Sequence, residues 1–159
     1  MQDYTLKFEK YLMDEKKVST NTLMSYMRDV KKFNEYLCAC KISKISAVDC
    51  EIISAYLNLL RDDGKSESTL TRCVASLRCF FHYLIYIGMI ENDPTKGIVT
   101  VKTQRKLPQI LTSAEVDLLL RQPEAGTLKG YRDRAMLEML YATGIRVTEL
   151  VSLDINNVS

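Results

Sequence analysis

The sequence lacks most of what enzyme chemistry usually draws on. It has one histidine, His82, in 159 residues. With a single histidine, no Ser-His-Asp or Cys-His arrangement with spare parts is expected. No G-x-x-x-x-G-K-[ST] loop and no G-x-G-x-x-G run occurs, so nothing points to nucleotide hydrolysis or dinucleotide binding. No apolar run approaches the ~20 residues that span a bilayer. The opening Met1-Gln2-Asp3-Tyr4 is polar and leads into Lys7, Glu9 and Lys10, unlike a secretory signal. A cytoplasmic protein without membrane contact is expected. The five cysteines are an odd number, and Cys38-Ala39-Cys40 is too tight for the usual zinc spacing, with no second pair to follow. Reduced, mostly buried thiols and no metal site are expected. His82, between Phe81 and Tyr83, reads as a structural histidine of a core helix rather than a base or ligand.

What is present is an ordinary globular composition, 47% hydrophobic and 26% charged, with enough apolar residues to bury a core. The net charge of +2 says little, but its distribution says more. Residues 1–111 carry 17 Lys/Arg against 13 Asp/Glu, and residues 112–159 carry 5 against 7. The basic excess lies in the front part, as expected of a segment facing a polyanion.

The periodicity is helical nearly throughout. Tyr4, Phe8, Tyr11 and Leu12 predict a first helix over about 4–16. Ser19 or Thr20 caps a second, with Leu23, Tyr26, Met27, Val30, Phe33 and Leu37 as its stripe. Ser46-Ala47-Val48-Asp49 approximates a capping box for a third, carrying Val48, Ile52, Tyr56, Leu59 and Leu60 inward until Gly64. Ser66 starts a fourth, with Leu70, Val74, Leu77, Phe81 and Leu84 on one face, ending at Gly88. The reading is a four-helix bundle over 1–92.

Asn92-Asp93-Pro94 then breaks the pattern. Between Asp93 and Glu115 there is no acid, while Lys96, Lys102, Arg105 and Lys106 occur. Residues 93–111 therefore read as a basic extended linker. Thr112-Ser113-Ala114-Glu115 is a full capping box and opens a second unit, 112–159. Gly126 and Gly130 flank a loop there. A helix follows over 131–143, with Ala135, Met136, Met139, Leu140 and Thr143 on one side, then a stop at Gly144 and a short helix over about 146–152. A unit this small rarely buries enough surface alone, so the chain is expected to be part of a longer protein.

One segment is dense in polar chemistry, Tyr131 to Leu153. A helix ends at Gly144 and another begins at once, with Arg146 on the corner. An arginine fixed there presents a planar fork to a phosphate. The plainer reading is an intrahelical pair with Glu149, and physics alone weighs the two about evenly.

The run Arg132-Asp133-Arg134-Ala135, followed by Leu140-Tyr141-Ala142-Thr143-Gly144-Ile145-Arg146-Val147-Thr148-Glu149-Leu150, closely resembles the first catalytic box of tyrosine recombinases, especially the Xer and phage-integrase branch. Ser19-Thr20-Asn21-Thr22-Leu23 with Ser25-Tyr26 and Asp29 resembles the core-binding domain of that family, as does Ser68-Thr69 with Arg72, Leu77, Arg78, Phe80 and Phe81. The resemblance implies an all-α chain: a four-helix SAM-like core-binding bundle, a basic linker and the first helices of a truncated mixed α/β catalytic domain. It implies DNA cleavage and rejoining through a covalent 3′-phosphotyrosine, with neither metal nor nucleotide cofactor. Arg146 matches the first of two arginines that stabilise the phosphorane-like transition state, and Glu149 an acidic position that supports it. The family's lysine, its histidine-x-x-arginine box, its later histidine or tryptophan and its nucleophilic tyrosine are expected beyond Ser159. Tyr26, Tyr83 and Tyr141 read as core or boundary residues, and the chain as inactive by itself.

The resemblance also implies double-stranded DNA as partner, a tetramer on two sites for the parent, and a monomer for this chain. A helical wheel puts Ser68, Arg72 and Ser76 away from the core on the fourth helix, with Arg78 near the edge. Thr22, Ser25 and Arg28 lie off the stripe of the second. All seven are candidate DNA contacts. Lys102, Arg105 and Lys106 are candidate phosphate contacts of the linker. Two competing readings are a relative that occupies DNA without cutting, and a helical protein–protein module with no DNA role.

Overall fold

The computed structural model describes residues 2–99 and 109–157. The chain forms two compact units, Met1–Arg105 and Lys106–Ser159. Helices and turns, with no strand, make up the described residues. No helix among them is long and apolar enough to cross a membrane.

The first unit contains α1 (Gln2–Asp14), α2 (Thr20–Ala39), α3 (Cys50–Asp62) and α4 (Glu67–Tyr86). Helices α2 and α4 form the central pair, with α1 against α2 and α3 against α4. The N-caps follow the sequence at two of three predicted places. The Ser19 hydroxyl accepts from the Thr22 N–H at 3.3 Å, and the Ser66 hydroxyl from the Thr69 N–H at 3.3 Å. The third differs. Ile45–Ala47 is a 3₁₀ turn with Ile45 buried, and α3 starts at Cys50 under Asp49, whose Oδ1 accepts from the Ile52 N–H at 2.9 Å. Val48 therefore lies outside the helix. The inward face of α3 is Ile53, Tyr56 and Leu57, while Leu59 points to solvent.

The stripes of α2 and α4 pack as their spacing predicts. Val30, Phe33, Leu37, Leu70, Val74, Leu77, Phe81 and Leu84 are all buried. Helix α4 buries more than one stripe, since Cys73, Ser76, Phe80 and Tyr83 are also covered. A chain of edge-to-face rings crosses the unit from α1 to α3. Phe8 meets Phe80 at 5.2 Å between centroids, Phe80 meets Phe81 at 5.7 Å, Phe81 meets Phe33 at 6.0 Å and Phe33 meets Tyr56 at 5.1 Å. These are the favoured geometries for aromatic pairs.

Apolar packing continues past Asn92. Thr95 and Ile98 are buried, and Ile98 joins the core of the bundle. Asp93 organises this stretch: its Oδ1 accepts from the Thr95 N–H at 2.8 Å and the Thr95 hydroxyl at 2.6 Å, and its Oδ2 lies 3.1 Å from His82 Nε2. His82 is thus not a core residue. Its ring is 65% exposed, and its structural partner is Asp93. The cysteines also depart from expectation: all five are free thiols, but only Cys73 is buried, and Cys38 and Cys40 are exposed. The end of α2 holds that pair at the surface, beyond the last core residue of the stripe, Leu37.

The second unit contains α5 (Ser113–Leu120), α6 (Leu128–Thr143) and α7 (Val147–Val151). The capping box forms: the Thr112 hydroxyl accepts from the Glu115 N–H at 3.4 Å, and Glu115 Oε2 accepts from the Thr112 N–H at 2.8 Å. Those bonds to the Thr112 N–H and hydroxyl hold the Glu115 carboxyl below the usual carboxylate range. Helix α6 starts three residues before its predicted position, because Thr127 caps it by accepting from the Gly130 N–H at 3.0 Å. Gly130 is therefore a helix residue rather than a loop edge. A Cβ there would run into the Glu124 carbonyl, so no other residue fits without moving the backbone. Helix α6 stops at Gly144 with φ +68°, the left-handed cap that glycine adopts without steric cost.

Candidate nucleic-acid face and catalytic corner

Arg146 stands where the sequence puts it, as the extended residue between Gly144 and α7, with φ −75° and ψ 152°. Glu149, one turn into α7, closes on it from two directions. Its Oε2 accepts from the Arg146 backbone N–H at 2.8 Å, and its Oε1 from Arg146 Nη1 at 3.0 Å. The pair with Glu149 is therefore made, and it leaves the arginine side chain 81% exposed. A single carboxylate fixes both the backbone and the tip of the arginine, so the remaining N–H groups face outward as a preset fork. The corner is tied from behind: the Gly144 N–H donates to the Leu140 carbonyl at 2.9 Å, and the Thr143 hydroxyl donates to the Met139 carbonyl at 2.6 Å. Arg134 pairs with Glu138 at 2.8 Å along α6. Tyr141 is 64% exposed, not the core or boundary residue that its neighbours suggested, because α6 buries little beyond Gly130. Tyr83 is buried and Tyr26 half-buried.

On the first unit the candidate residues divide. Arg28 and Ser68 are exposed, on α2 and on the first turn of α4. Ser25 is half-buried. Thr22 is half-buried and belongs to the α2 cap, its hydroxyl 2.9 Å from that of Ser19. Ser76 is a correction. The wheel sets it away from the core, but it is fully buried, and its hydroxyl donates to Asp29 Oδ2 at 2.8 Å. Arg72 donates to the same oxygen through Nη1 at 2.6 Å and keeps about a third of its side chain exposed, at 34%. Asp29 is the reason for both. It lies within the apolar stripe of α2, only 5% exposed, and a buried carboxylate needs donors around it. Arg78 is half-buried and donates through Nη2 to the Ile98 carbonyl at 2.7 Å, holding the stretch after α4 against that helix. Lys102, Arg105 and Lys106 lie outside the described residues.

Two other reactive side chains are silenced by burial. Cys73, beside Asp29, has its pKa pushed up to about 12 by burial and by that carboxylate. Burial likewise drives Tyr56 well above the usual phenol range. Neither is a nucleophile at neutral pH. Among the described residues no group of His, Cys, Asp and Glu is placed to hold a metal.

Residues 6–88 match the family model of the phage integrase N-terminal SAM-like domain, and residues 109–159 match that of the phage integrase family. The tyrosine recombinase XerD of Staphylococcus epidermidis is 41% identical over 153 residues, which is 96% of this chain and 52% of that protein. The tyrosine recombinase XerD of Staphylococcus saprophyticus is 40% identical over 153 residues, again 96% and 52%. That of Staphylococcus aureus is 37% identical over 159 residues, the whole of this chain and 54% of the relative. The chain thus spans about half the length of the curated relatives it matches. With a bundle of the SAM-like type in front and the Arg146 corner behind it, the chain belongs to the phage integrase family of tyrosine recombinases.

Proposed function

We propose that this chain is the DNA-binding front part of a site-specific DNA recombinase, which cuts and rejoins duplex DNA through a 3′-phosphotyrosine intermediate. The observation that carries the reading is the Arg146 corner: an outward guanidinium, fixed at backbone and tip by Glu149, inside a segment that matches the family over its full length. Arg146 is the catalytic residue of this chain and stabilises negative charge on the scissile phosphate, a role in which one preorganised donor contributes about 3–4 kcal/mol. Glu149 is its positioning residue. The transition state needs no metal or nucleotide, because the charge is met by fixed cationic donors.

Residues 1–92 serve as the core-binding domain, 93–111 as the link between domains, its first part to Ile98 packed onto the bundle, and 112–159 as the start of the catalytic domain. Arg28, Ser25, Thr22, Ser68 and Arg72 form the DNA face of the first unit, and Lys102, Arg105 and Lys106 follow the phosphate backbone. Ser76 and Arg78 serve the fold instead. The nucleophile lies in a part of the protein beyond this sequence, so the chain by itself binds DNA as a monomer and does not cut it. The parent works as a tetramer on two sites in the cytoplasm.

The test is binding of the 159-residue chain to duplex DNA across a salt series. Saturable binding that weakens linearly in the logarithm of salt supports the reading. Absence of binding at low salt refutes it and favours a helical protein–protein module.

A further inference from the structure

A cleft of about 170 Å³ opens over Asp29 in the first unit, and cations from three places line it. Arg28 and Lys32 come from α2, Lys65 from the turn before α4, and Arg72 from α4. The carboxylate in its lining is Asp29. Lys65 pairs with Asp63 at 2.9 Å, and Arg72 with Asp29 at 2.6 Å. Arg28 and Lys32 make no ion pair with any described residue. Like charges gathered around the rim of a small cleft repel one another until an anion enters.

Asp29 decides what Arg72 can do there. The carboxylate sits under the cleft, and its Oδ2 takes both the Arg72 Nη1 and the Ser76 hydroxyl. That contact uses one of the five N–H groups of the guanidinium, tethers its tip beside the cleft and leaves the others for an anion. We propose that this cleft binds one backbone phosphate of duplex DNA, and that Asp29 is the positioning residue that holds Arg72 at it. The proposal rests on the DNA-binding reading above and adds Asp29, Lys32 and Lys65 to it.

The test is the affinity of the 159-residue chain for a fluorescent random-sequence duplex over a salt series. Lys32→Ala is expected to reduce the salt slope by about 0.9, the value of one lost phosphate contact. Asp29→Asn gives the sharper result. It deletes a negative charge beside the DNA, so simple electrostatics predicts tighter binding. Loss of positioning predicts binding weaker by about tenfold, with the slope retained. Arg72→Lys keeps the charge and loses the fork, and is expected to behave like Asp29→Asn. It decides the matter if a thermal melt shows that the Asp29 variant does not fold. Wild-type binding with an unchanged slope for Lys32→Ala, and undiminished affinity for Asp29→Asn or Arg72→Lys, overturns the proposal while leaving DNA binding intact. A wild-type chain that binds no duplex at low salt overturns both.

Discussion

Asp93→Ala is expected to be among the most damaging single changes outside the apolar core. The carboxylate is 7% exposed and holds both donors of Thr95, which is itself 1% exposed. Truncation leaves a buried N–H and a buried hydroxyl facing a methyl group. One unsatisfied buried group costs about 1–3 kcal/mol, and the hydroxyl can turn to recover part of its share, so the loss is about 2–4 kcal/mol. In a unit of this size that lowers the melting temperature by roughly 10–20 °C. The pH dependence follows from the same contacts. Burial pushes the Asp93 carboxyl up, but the Thr95 hydroxyl and N–H, together with His82, outweigh it and hold its pKa below the usual range. A carboxyl depressed in the folded state contributes its stability above the unfolded pKa of about 3.9, and loses it as pH falls through the folded value. Urea unfolding of wild type and Asp93→Ala, followed by circular dichroism from pH 7 downward, should show a gap that is constant near neutrality and closes in acid. A melting shift of only a degree or two, or a gap that persists unchanged at the lowest pH where the protein folds, would refute the reasoning.

Other variants probe separate parts of the account. Leu77→Ala removes a fully buried side chain of α4 and should cost about 2–5 kcal/mol in denaturant unfolding. Ser66→Ala removes the α4 cap and should cost about 1 kcal/mol by the same measurement. Gly130→Ala places a Cβ against the Glu124 carbonyl; the second unit should lose protection in hydrogen exchange while the first keeps it.

The helices of the first unit were legible because their signals are local. Ser19 and Ser66 cap within three residues of their partners, and the α4 stripe repeats every three or four residues. The start of α3 was misplaced because Ser46 and Asp49 both have cap chemistry. What decides between them is the burial of Ile45, a tertiary fact. The fate of the polar residues was harder to read. Arg72 and Ser76 meet Asp29 across 43 and 47 positions, and Arg78 reaches Ile98 across 20. No sequence spacing encodes such pairs. One signal was available: Asp29 sits beside Val30 inside the apolar stripe of α2, and a carboxylate in that position demands donors from the facing helix. His82 reads as a structural histidine and has a structural partner, but that partner, Asp93, lies 11 positions on, beyond any helical spacing. In the second unit the corner at Gly144 and Arg146 was legible, since a glycine stop followed by an arginine and a glutamate three residues later is a local pattern. The resemblance, not the pattern, chose between a surface pair and a catalytic group.

The most direct test of the central claim is covalent capture. A protein that carries this chain together with the proposed nucleophilic tyrosine, incubated with a nicked suicide duplex that traps the 3′-phosphotyrosine, is expected to form a denaturation-resistant protein–DNA adduct. Arg146→Ala should bind the same duplex and reduce adduct formation by at least about 100-fold, the scale of losing one transition-state donor. An adduct formed at the wild-type rate by Arg146→Ala, or no adduct from the wild-type protein on any duplex that it binds, would contradict the account.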